Sequence, residues 1–148
     1  MYKEWITHKS CGCGGIMTIH MHTLFYHAKT KIKHVPVYTC SICSRYETLP
    51  VIKDNLAALI GRLDASFAGQ NISFAKHNEW ANVLKEAFAA CPVNTELDHA
   101  EEVIRSAVQG RIDLLLDMYR LAREMGDAAW MEETEERLAQ LTIYPAHR

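Results

Sequence analysis

Four of the five cysteines in this 148-residue chain occur as two close pairs near its N-terminus. The pairs are Cys11/Cys13 and Cys40/Cys43, whereas Cys91 lies far from both in the sequence. Thiolates one or two residues apart can bind the same metal ion, and two such pairs complete the tetrahedron that Zn²⁺ prefers. The spacing therefore predicts one structural zinc ion held by the four paired cysteines. Because four thiolates leave no open coordination position, a hydrolytic centre is not expected here.

Two alternatives stay open for this cluster. His8 precedes Cys11 by three residues and could replace one cysteine, since the first pair is one residue shorter than the Cys-x2-Cys of most zinc ribbons. A redox dithiol is usually Cys-x-x-Cys at a helix N-terminus after a strand, a context that the sequence around Cys40 and Cys43 lacks. Zinc binding is therefore favoured over redox chemistry.

The residues between the two cysteine pairs have the alternation of a β-hairpin. Apolar and polar residues alternate from Met17 to Phe25, and less cleanly over residues 31–38, where Pro36 indicates an edge strand or a bulge. A hairpin brings the second pair back beside the first, which is the arrangement of a zinc ribbon. Such a unit has little core of its own, so the metal would supply much of its folding free energy.

After Pro50 the apolar period changes from two to that of a helix. One stripe at helical spacing comprises Leu56, Leu59, Ile60, Leu63 and Phe67. Further helices are predicted over about residues 73–90, from about 95 to 125 with a break or weak point at Gly110, and over about 128–141. Gly126-Asp127 is typical of a helix stop followed by an N-cap. The predicted fold class is α+β: a zinc-ribbon domain (1–50) followed by a small all-α helical domain (51–148).

The net charge of −2 conceals an asymmetry between these two segments. Residues 1–50 carry a net charge of +4 and residues 51–148 a net charge of −6. Lys29, Lys31 and Lys33 alternate, so on a strand they would share one face, near Arg45. A basic strand face can follow a phosphate backbone, with Tyr26 or Tyr38 available for stacking. The other interpretation is a solvated ribbon face.

Large, adaptable side chains are concentrated in the last two helical segments. Their apolar content exceeds what one face of a small bundle requires, which predicts a dimer interface or a partner groove formed by Leu115, Met118, Tyr119 and Trp130. No Gly-rich phosphate loop, nucleophile elbow or HExxH motif occurs, so an enzyme is not expected. No apolar run is long enough for a membrane helix and the N-terminus lacks a signal-peptide core, which predicts a cytoplasmic protein without a membrane partner.

Part of the chain resembles a known family. The run CGCGG at residues 11–15, a hairpin, and the run HVPVYTCSIC at residues 34–43 are together similar to the YgiT-type zinc finger, the N-terminal module of MqsA-like antitoxins. The resemblance covers about residues 9–65 and implies a zinc module followed by a helix. Ser44 stands where a glycine normally follows the last cysteine. MqsA-like proteins read DNA through a C-terminal helix-turn-helix, whereas the acidic helices from 96 to 141 lack a basic recognition helix.

Together these features predict a zinc-binding regulatory protein, antitoxin-like or transcription-regulator-like. Its zinc ribbon would serve as a structural or nucleic-acid-contact module, and its helices would bind a protein partner or a second copy. The alternative is a protein–protein adaptor or inhibitor with a purely structural zinc site and no nucleic-acid binding.

Overall fold

The computed structural model describes residues 8–26, 30–63, 71–91 and 97–142. The strands are β1 (His8–Ser10), β2 (Ile16–Tyr26), β3 (Thr30–Cys40), β4 (Tyr46–Thr48) and β5 (Asn71–Ser73). The α-helices are α1 (Pro50–Arg62), α2 (Glu79–Ala90), α3 (Leu97–Met125) and α4 (Ala128–Leu141), with a 3-10 turn at Phe74–Lys76. A sheet built on an N-terminal β-hairpin and followed by helices confirms the predicted α+β class.

The two long strands form an antiparallel hairpin with the cysteines at one end. Met17 lies opposite Cys40 at this end of the ladder, and Tyr26 lies opposite Thr30 at the other. β1 pairs antiparallel with β2, and β4 pairs antiparallel with β3. β5 pairs parallel with β3 near the end of the hairpin that is remote from the cysteines. The sheet thus has the order β1-β2-β3-β4, with β5 added to β3.

A bulge interrupts the hairpin at His34. The register shifts between His22 and Leu24, which leaves one more residue in β3 than in β2 at this point. His34 adopts a left-handed conformation with φ of 63°, which histidine tolerates better than most residues do. Its Nδ1 lies 2.8 Å from the Oγ of Ser73, so the bulge is linked by a hydrogen bond to β5.

Pro36 lies in a central strand, so of the two alternatives predicted from it the edge strand is wrong, while a bulge does occur in β3 two residues earlier, at His34. β5 pairs with residues 31–33 of β3, and β4 pairs with residues 37–39 on the same side. Pro36 falls between these two segments. Within the described residues, no strand pairs with it on the side of β3 opposite β2. The missing proline N–H therefore costs no ladder hydrogen bond on that side.

The helix boundaries follow local capping signals. Pro50 occupies the first turn of α1, where the N–H that proline lacks would have no partner within the helix. α2 begins later than predicted, because the Asn78 side chain caps it by accepting a hydrogen bond from Ala81 N at 2.9 Å. Residues 71–76, part of which was predicted as helix, form β5 and the 3-10 turn.

The longest helix, α3, continues through Gly110 without a break. Glycine costs about 1 kcal/mol relative to alanine inside a helix, an amount that packing of the residues on either side can offset. Gly126 then ends α3 with φ of 72°, and Asp127 caps α4 by accepting from Trp130 N at 3.0 Å, both as predicted. None of the described helices combines the length and apolar character needed to cross a bilayer.

One continuous hydrophobic core joins the sheet to the helices. Its largest fully buried side chains are Trp80, Tyr38, Phe74, Met17, Ile32, Leu49, Ile52, Leu84, Ile104, Leu115 and Leu141. The domain division at residue 50 coincides with the start of α1 and stays a prediction. The core crosses this division, and β5 from the second segment extends the sheet of the first.

A buried carboxylate connects the three C-terminal helices. Glu79 in the first turn of α2 is only 7% exposed, and it binds Arg111 of α3 and Arg137 of α4. Burial alone would raise the pKa of the Glu79 carboxyl, but hydrogen bonds from Arg137 and Arg111 outweigh it and hold the pKa below 4.5. Gln140 adds a link, since its side-chain oxygen accepts from Glu79 N and its carbonyl from Trp80 Nε1.

Candidate metal centre

The four paired cysteines converge at one end of the hairpin. Each offers one sulfur, and all four Sγ atoms lie within 4.8 Å of one another. Sulfur atoms from different pairs are close neighbours: Cys11 and Cys43 are 3.6 Å apart, and Cys13 and Cys40 are 3.5 Å apart. The cluster can therefore hold one metal ion, with two ligands from each end of the chain segment that the hairpin closes.

The first pair is folded by a short turn before β2. Cys11 N donates to the carbonyl of Gly15 at 2.9 Å, and Gly14 N donates to the carbonyl of Cys11 at 3.0 Å. Gly14 has φ of 98°, a backbone conformation that residues other than glycine rarely adopt. This turn brings the sulfur of Cys13 back towards that of Cys11 across a single intervening residue.

Gly15 is required for a different reason, namely close approach. A Cβ at this position would lie 2.8 Å from Cδ1 of Ile42 and 3.1 Å from Sγ of Cys40. The first turn therefore touches the second through a residue without a side chain. This contact fixes the distance between the two cysteine pairs.

The second pair is folded by a turn after β3. Ser44 N donates to the carbonyl of Cys40 at 3.1 Å, and Cys40 N donates to the carbonyl of Arg45 at 2.9 Å. Ser44 has φ of 63°, in the left-handed region. Ser44, at the position where the resemblance predicts a glycine, thus adopts a conformation that favours glycine.

Two thiols of the cluster differ strongly in acidity. The backbone amides of Cys43 and Ile42 donate to the Cys40 sulfur and lower the pKa of this thiol to about 6. The amide of Gly15 acts in the same direction on Cys13, but the neighbouring thiols of Cys40 and Cys11 outweigh it and raise the pKa of Cys13 to about 12. Of these two thiols, Cys40 is the one that loses its proton more readily to become a thiolate ligand.

The cluster contains cysteine only. His8, the alternative ligand, lies in β1 opposite Thr18 and does not belong to the group of metal-binding side chains among the described residues. Cys11 and Cys40 are buried, whereas Cys13 and Cys43 are exposed, so one side of the site faces solvent. Cys91 is half-buried at the end of α2, outside the cluster.

The predicted basic residues do not form one patch. Lys31 and Lys33 are exposed near the end of β3 that is remote from the cysteines, whereas Arg45 follows Cys43 at the metal end. Cys40 is seven residue steps along the strand from Lys33, roughly 23 Å for an extended strand. The prediction that Arg45 lies near these lysines is therefore wrong. Lys29 lies outside the described residues.

The stacking residues proposed for nucleic acid also need correction. Tyr38 is only 2% exposed, so its ring is not available to a base. The side chain of Tyr26 lies outside what the structure describes. The exposed ring beside a lysine is instead Phe25, with Nζ of Lys31 5.8 Å from its centroid.

The predicted partner-binding residues are only partly accessible. Leu115 is fully buried in the core, so its side chain cannot contact a partner. Met118, Tyr119 and Trp130 are half-buried. The strongly exposed apolar side chains of α3 are Leu114, Leu121 and Met125. Sequence periodicity does not separate Leu114 from Leu115, because three consecutive leucines occupy residues 114–116.

The fold and the site together define an α+β protein with a four-cysteine cluster that can hold one metal ion. Comparison of the chain with protein-family models, with curated proteins and with solved structures gives no match.

Proposed function

We propose that this chain is a zinc-binding regulatory protein in which one structural Zn²⁺ braces the sheet and the helices bind a protein partner. The observation that carries the zinc proposal is the convergence of four sulfurs within 4.8 Å from two turns that are 26 residues apart in sequence. Cys11 and Cys40 also belong to the hydrophobic core, whereas Cys13 and Cys43 are exposed, where core packing gives no reason for a cysteine.

The donor set favours zinc over the hard metal ions that prefer oxygen ligands. Four thiolates in a compact group suit Zn²⁺ or iron, whereas Mg²⁺ and Ca²⁺ need oxygen ligands. Four protein ligands complete the coordination of zinc and leave no position for a substrate or a water nucleophile. We therefore assign the metal a structural role, and we propose no enzymatic activity for the site.

A structural metal has a clear task in this fold. β1 and β4 are three-residue strands, and each lies next to one of the cysteine pairs. A metal bound to both pairs would hold these short strands against the long hairpin and add its binding free energy to folding.

The experiment that tests the zinc proposal is metal analysis of the purified chain and of matched cysteine variants. We expect about one zinc per chain in the wild type. Cys43→Ser should lose most of the metal, because a serine hydroxyl is a poor zinc ligand. Cys91→Ser, at the half-buried cysteine outside the cluster, should keep it. Iron in place of zinc, or full zinc content in Cys43→Ser, would contradict the proposal.

Regulation through a protein partner is supported by the exposed apolar side chains of the helical half. The YgiT-type resemblance adds an antitoxin-like or transcription-regulator-like role to the proposal. A protein–protein adaptor or inhibitor without nucleic-acid binding is the form that needs the fewest further assumptions, since Arg45 lies far from the predicted lysines and Tyr38 is buried.

Nucleic-acid contact is the second candidate function, and one observation favours it. Lys31 and Lys33 are exposed, and Lys31 lies over the exposed ring of Phe25, a combination that suits a single strand with unstacked bases. Binding of a single-stranded oligonucleotide should weaken as salt rises and should weaken further in a Lys31→Glu, Lys33→Glu variant. A Lys53→Glu, Lys76→Glu variant, with exposed lysines on other elements, is the control. Equal binding by both variants would rule this contact out.

A further inference from the structure

The second half of α3 has an exposed apolar face that no described element covers. Leu114, Met118, Leu121 and Met125 follow each other at steps of four, three and four residues, so they lie on one side of the helix. Leu114, Leu121 and Met125 are 50%, 48% and 65% exposed, while Met118 is half-buried against the core. We call these four residues the α3 stripe.

The first half of the same helix face is already covered by a helix. Arg111, one turn before Leu114, binds Glu79 and Glu86 of α2, and Ala107 lines a groove with Val83 of α2. Glu79 is the first residue of α2, so α2 does not extend past this level along α3 and leaves the second half of α3 uncovered by it. The α3 stripe therefore continues the face of α3 that packs against α2 in the first half of α3.

One side of α4 borders the same face. Arg137 of α4 lines the groove that contains Leu114. Trp130 precedes Arg137 by seven residues, two helical turns, and so lies on the same side of α4. Because α3 and α4 are consecutive helices joined by the two-residue turn Gly126-Asp127, the first turns of α4 lie beside the end of α3. Trp130 is thus on the side of α4 that carries Arg137, near the turn that joins α4 to the end of the stripe.

The charge around the stripe is acidic. Residues 112–141 contain eight Asp/Glu and three Arg, a net charge of −5. Asp117 and Glu124 border one edge of the stripe along α3, both exposed, and Asp117 also forms an ion pair with Arg120. An apolar face with an acidic edge, on a pair of helices with net negative charge, complements a helix that has basic residues beside its apolar face.

We propose that the α3 stripe binds an amphipathic helix of a partner protein whose apolar face is flanked by Lys and Arg. The α3 stripe of a second copy of this chain would bind less favourably, because two faces with the same acidic edge would repel each other. The proposal rests on the proposed function in one respect, since it specifies the chemistry of the protein partner assigned to the helices.

The test uses the full chain, loaded with zinc, and labelled synthetic peptides of about 18 residues, five helical turns. The first peptide has Leu at positions i, i+3, i+4 and i+7 with Lys at the flanking positions. The second replaces each Lys with Glu, and the third has the composition of the first with its leucines scrambled. Fluorescence anisotropy should give affinity for the first peptide at least about tenfold tighter than for the other two, a ratio equivalent to about 1.4 kcal/mol.

Variants then locate the binding surface. Leu114→Gln with Leu121→Gln should weaken binding of the Lys peptide about tenfold or more, because both are exposed apolar side chains of the stripe. Leu116→Gln is the matched control, since Leu116 is 37% exposed but lies roughly 160° away from the stripe around the helix. Asp117→Lys with Glu124→Lys should reverse the preference from the Lys peptide to the Glu peptide.

Three results would overturn the inference. Equal affinity for the first and the scrambled peptide would mean that the acidic protein attracts any basic peptide, whatever the positions of its leucines. Equal loss in the Leu116→Gln control would mean that the stripe is not the binding surface. Self-association that Leu121→Gln abolishes and Leu116→Gln preserves would mean that a second copy covers the stripe. Zinc content is measured for every variant, so failure of the metal proposal is distinguished from failure of the stripe.

Discussion

Arg137 and Glu79 join the last helix to the start of α2 across 58 positions of sequence. Nε of Arg137 lies 2.8 Å from Oε1 of Glu79 and its Nη2 lies 3.1 Å from Oε2, so the guanidinium binds the carboxylate through two parallel hydrogen bonds. Arg111 binds the same carboxylate from α3. This ion cluster determines how α2, α3 and α4 fit together, and it lies directly beside the point where the α3 stripe becomes exposed.

Replacing Glu79 with Gln should destabilise the fold by about 3 kcal/mol, because it leaves two arginines near the core without their shared counter-charge. The control is Asp117→Asn, which removes an exposed partner of Arg120 and should change stability by less than about 1 kcal/mol. Urea unfolding with saturating zinc measures both. Equal effects of the two substitutions would show that the Glu79 cluster does not hold the helices together.

The same cluster predicts a loss of stability in acid. The pKa of Glu79 is lower in the folded chain than its ordinary value of 4.5, so the unfolded chain binds the proton more readily. The contribution of Glu79 is therefore fully present above pH 4.5 and is lost as the pH falls towards the lowered pKa. The difference in unfolding free energy between wild type and Glu79→Gln should shrink over this range. A difference that stays constant between pH 6 and pH 3, roughly, would contradict this origin.

His34 predicts a second and separate pH effect. Burial, together with the positive charges of Lys85 and Lys33, lowers the pKa of His34 below 6.5. The unfolded chain therefore takes up this proton first, so stability decreases as the pH falls below 6.5. His34→Asn should remove this component, because asparagine also tolerates the left-handed backbone at the bulge but does not titrate. Unfolding measured at several pH values above 5, roughly, separates it from the Glu79 effect.

The sequence predicted the hairpin and the cysteine cluster because both depend on patterns within a short stretch. Two cysteine pairs at the ends of one hairpin must meet, whatever the rest of the chain does. The strands β1, β4 and β5 were not predicted, since three residues are too few to show a period. The Glu79 cluster was not predicted either, because its members come from three helices and each one resembles an ordinary surface charge.

Accessibility was the other property that the sequence could not provide. Leu114 and Leu115 are neighbours of the same residue type, yet one is half exposed and the other fully buried. Which of them faces the core depends on where α4 packs along α3 and where α2 begins. The start of α2 is set by the Asn78 cap, and the apolar period of the segment 112–125 does not reveal that cap.

Gly15 offers a direct test of how the two cysteine turns fit together. Gly15→Ala should weaken metal binding by about 1–3 kcal/mol, since its Cβ would overlap the Ile42 side chain and crowd Sγ of Cys40. Gly12→Ala is the control, because a Cβ there would meet only Arg45 at 3.6 Å, an ordinary contact. Adding Ile42→Ala to Gly15→Ala should restore part of the affinity in competition with a chelator. No recovery would mean that crowding of Cys40, not of Ile42, causes the loss.

The left-handed residues at the turns predict opposite effects of adding and removing a Cβ. Ser44→Gly should stabilise the zinc-loaded chain by about 0.5–1 kcal/mol, because relief of the strained backbone exceeds the extra entropy of the unfolded glycine. Gly126→Ala should destabilise it by about 1 kcal/mol, since φ is 72° and no atom lies near enough to clash, so the cost is that of the backbone alone. Urea unfolding with saturating zinc measures both, and the metal content should change in neither. Destabilisation by Ser44→Gly would mean that the serine hydroxyl contributes more to the second cysteine turn than its backbone strain costs.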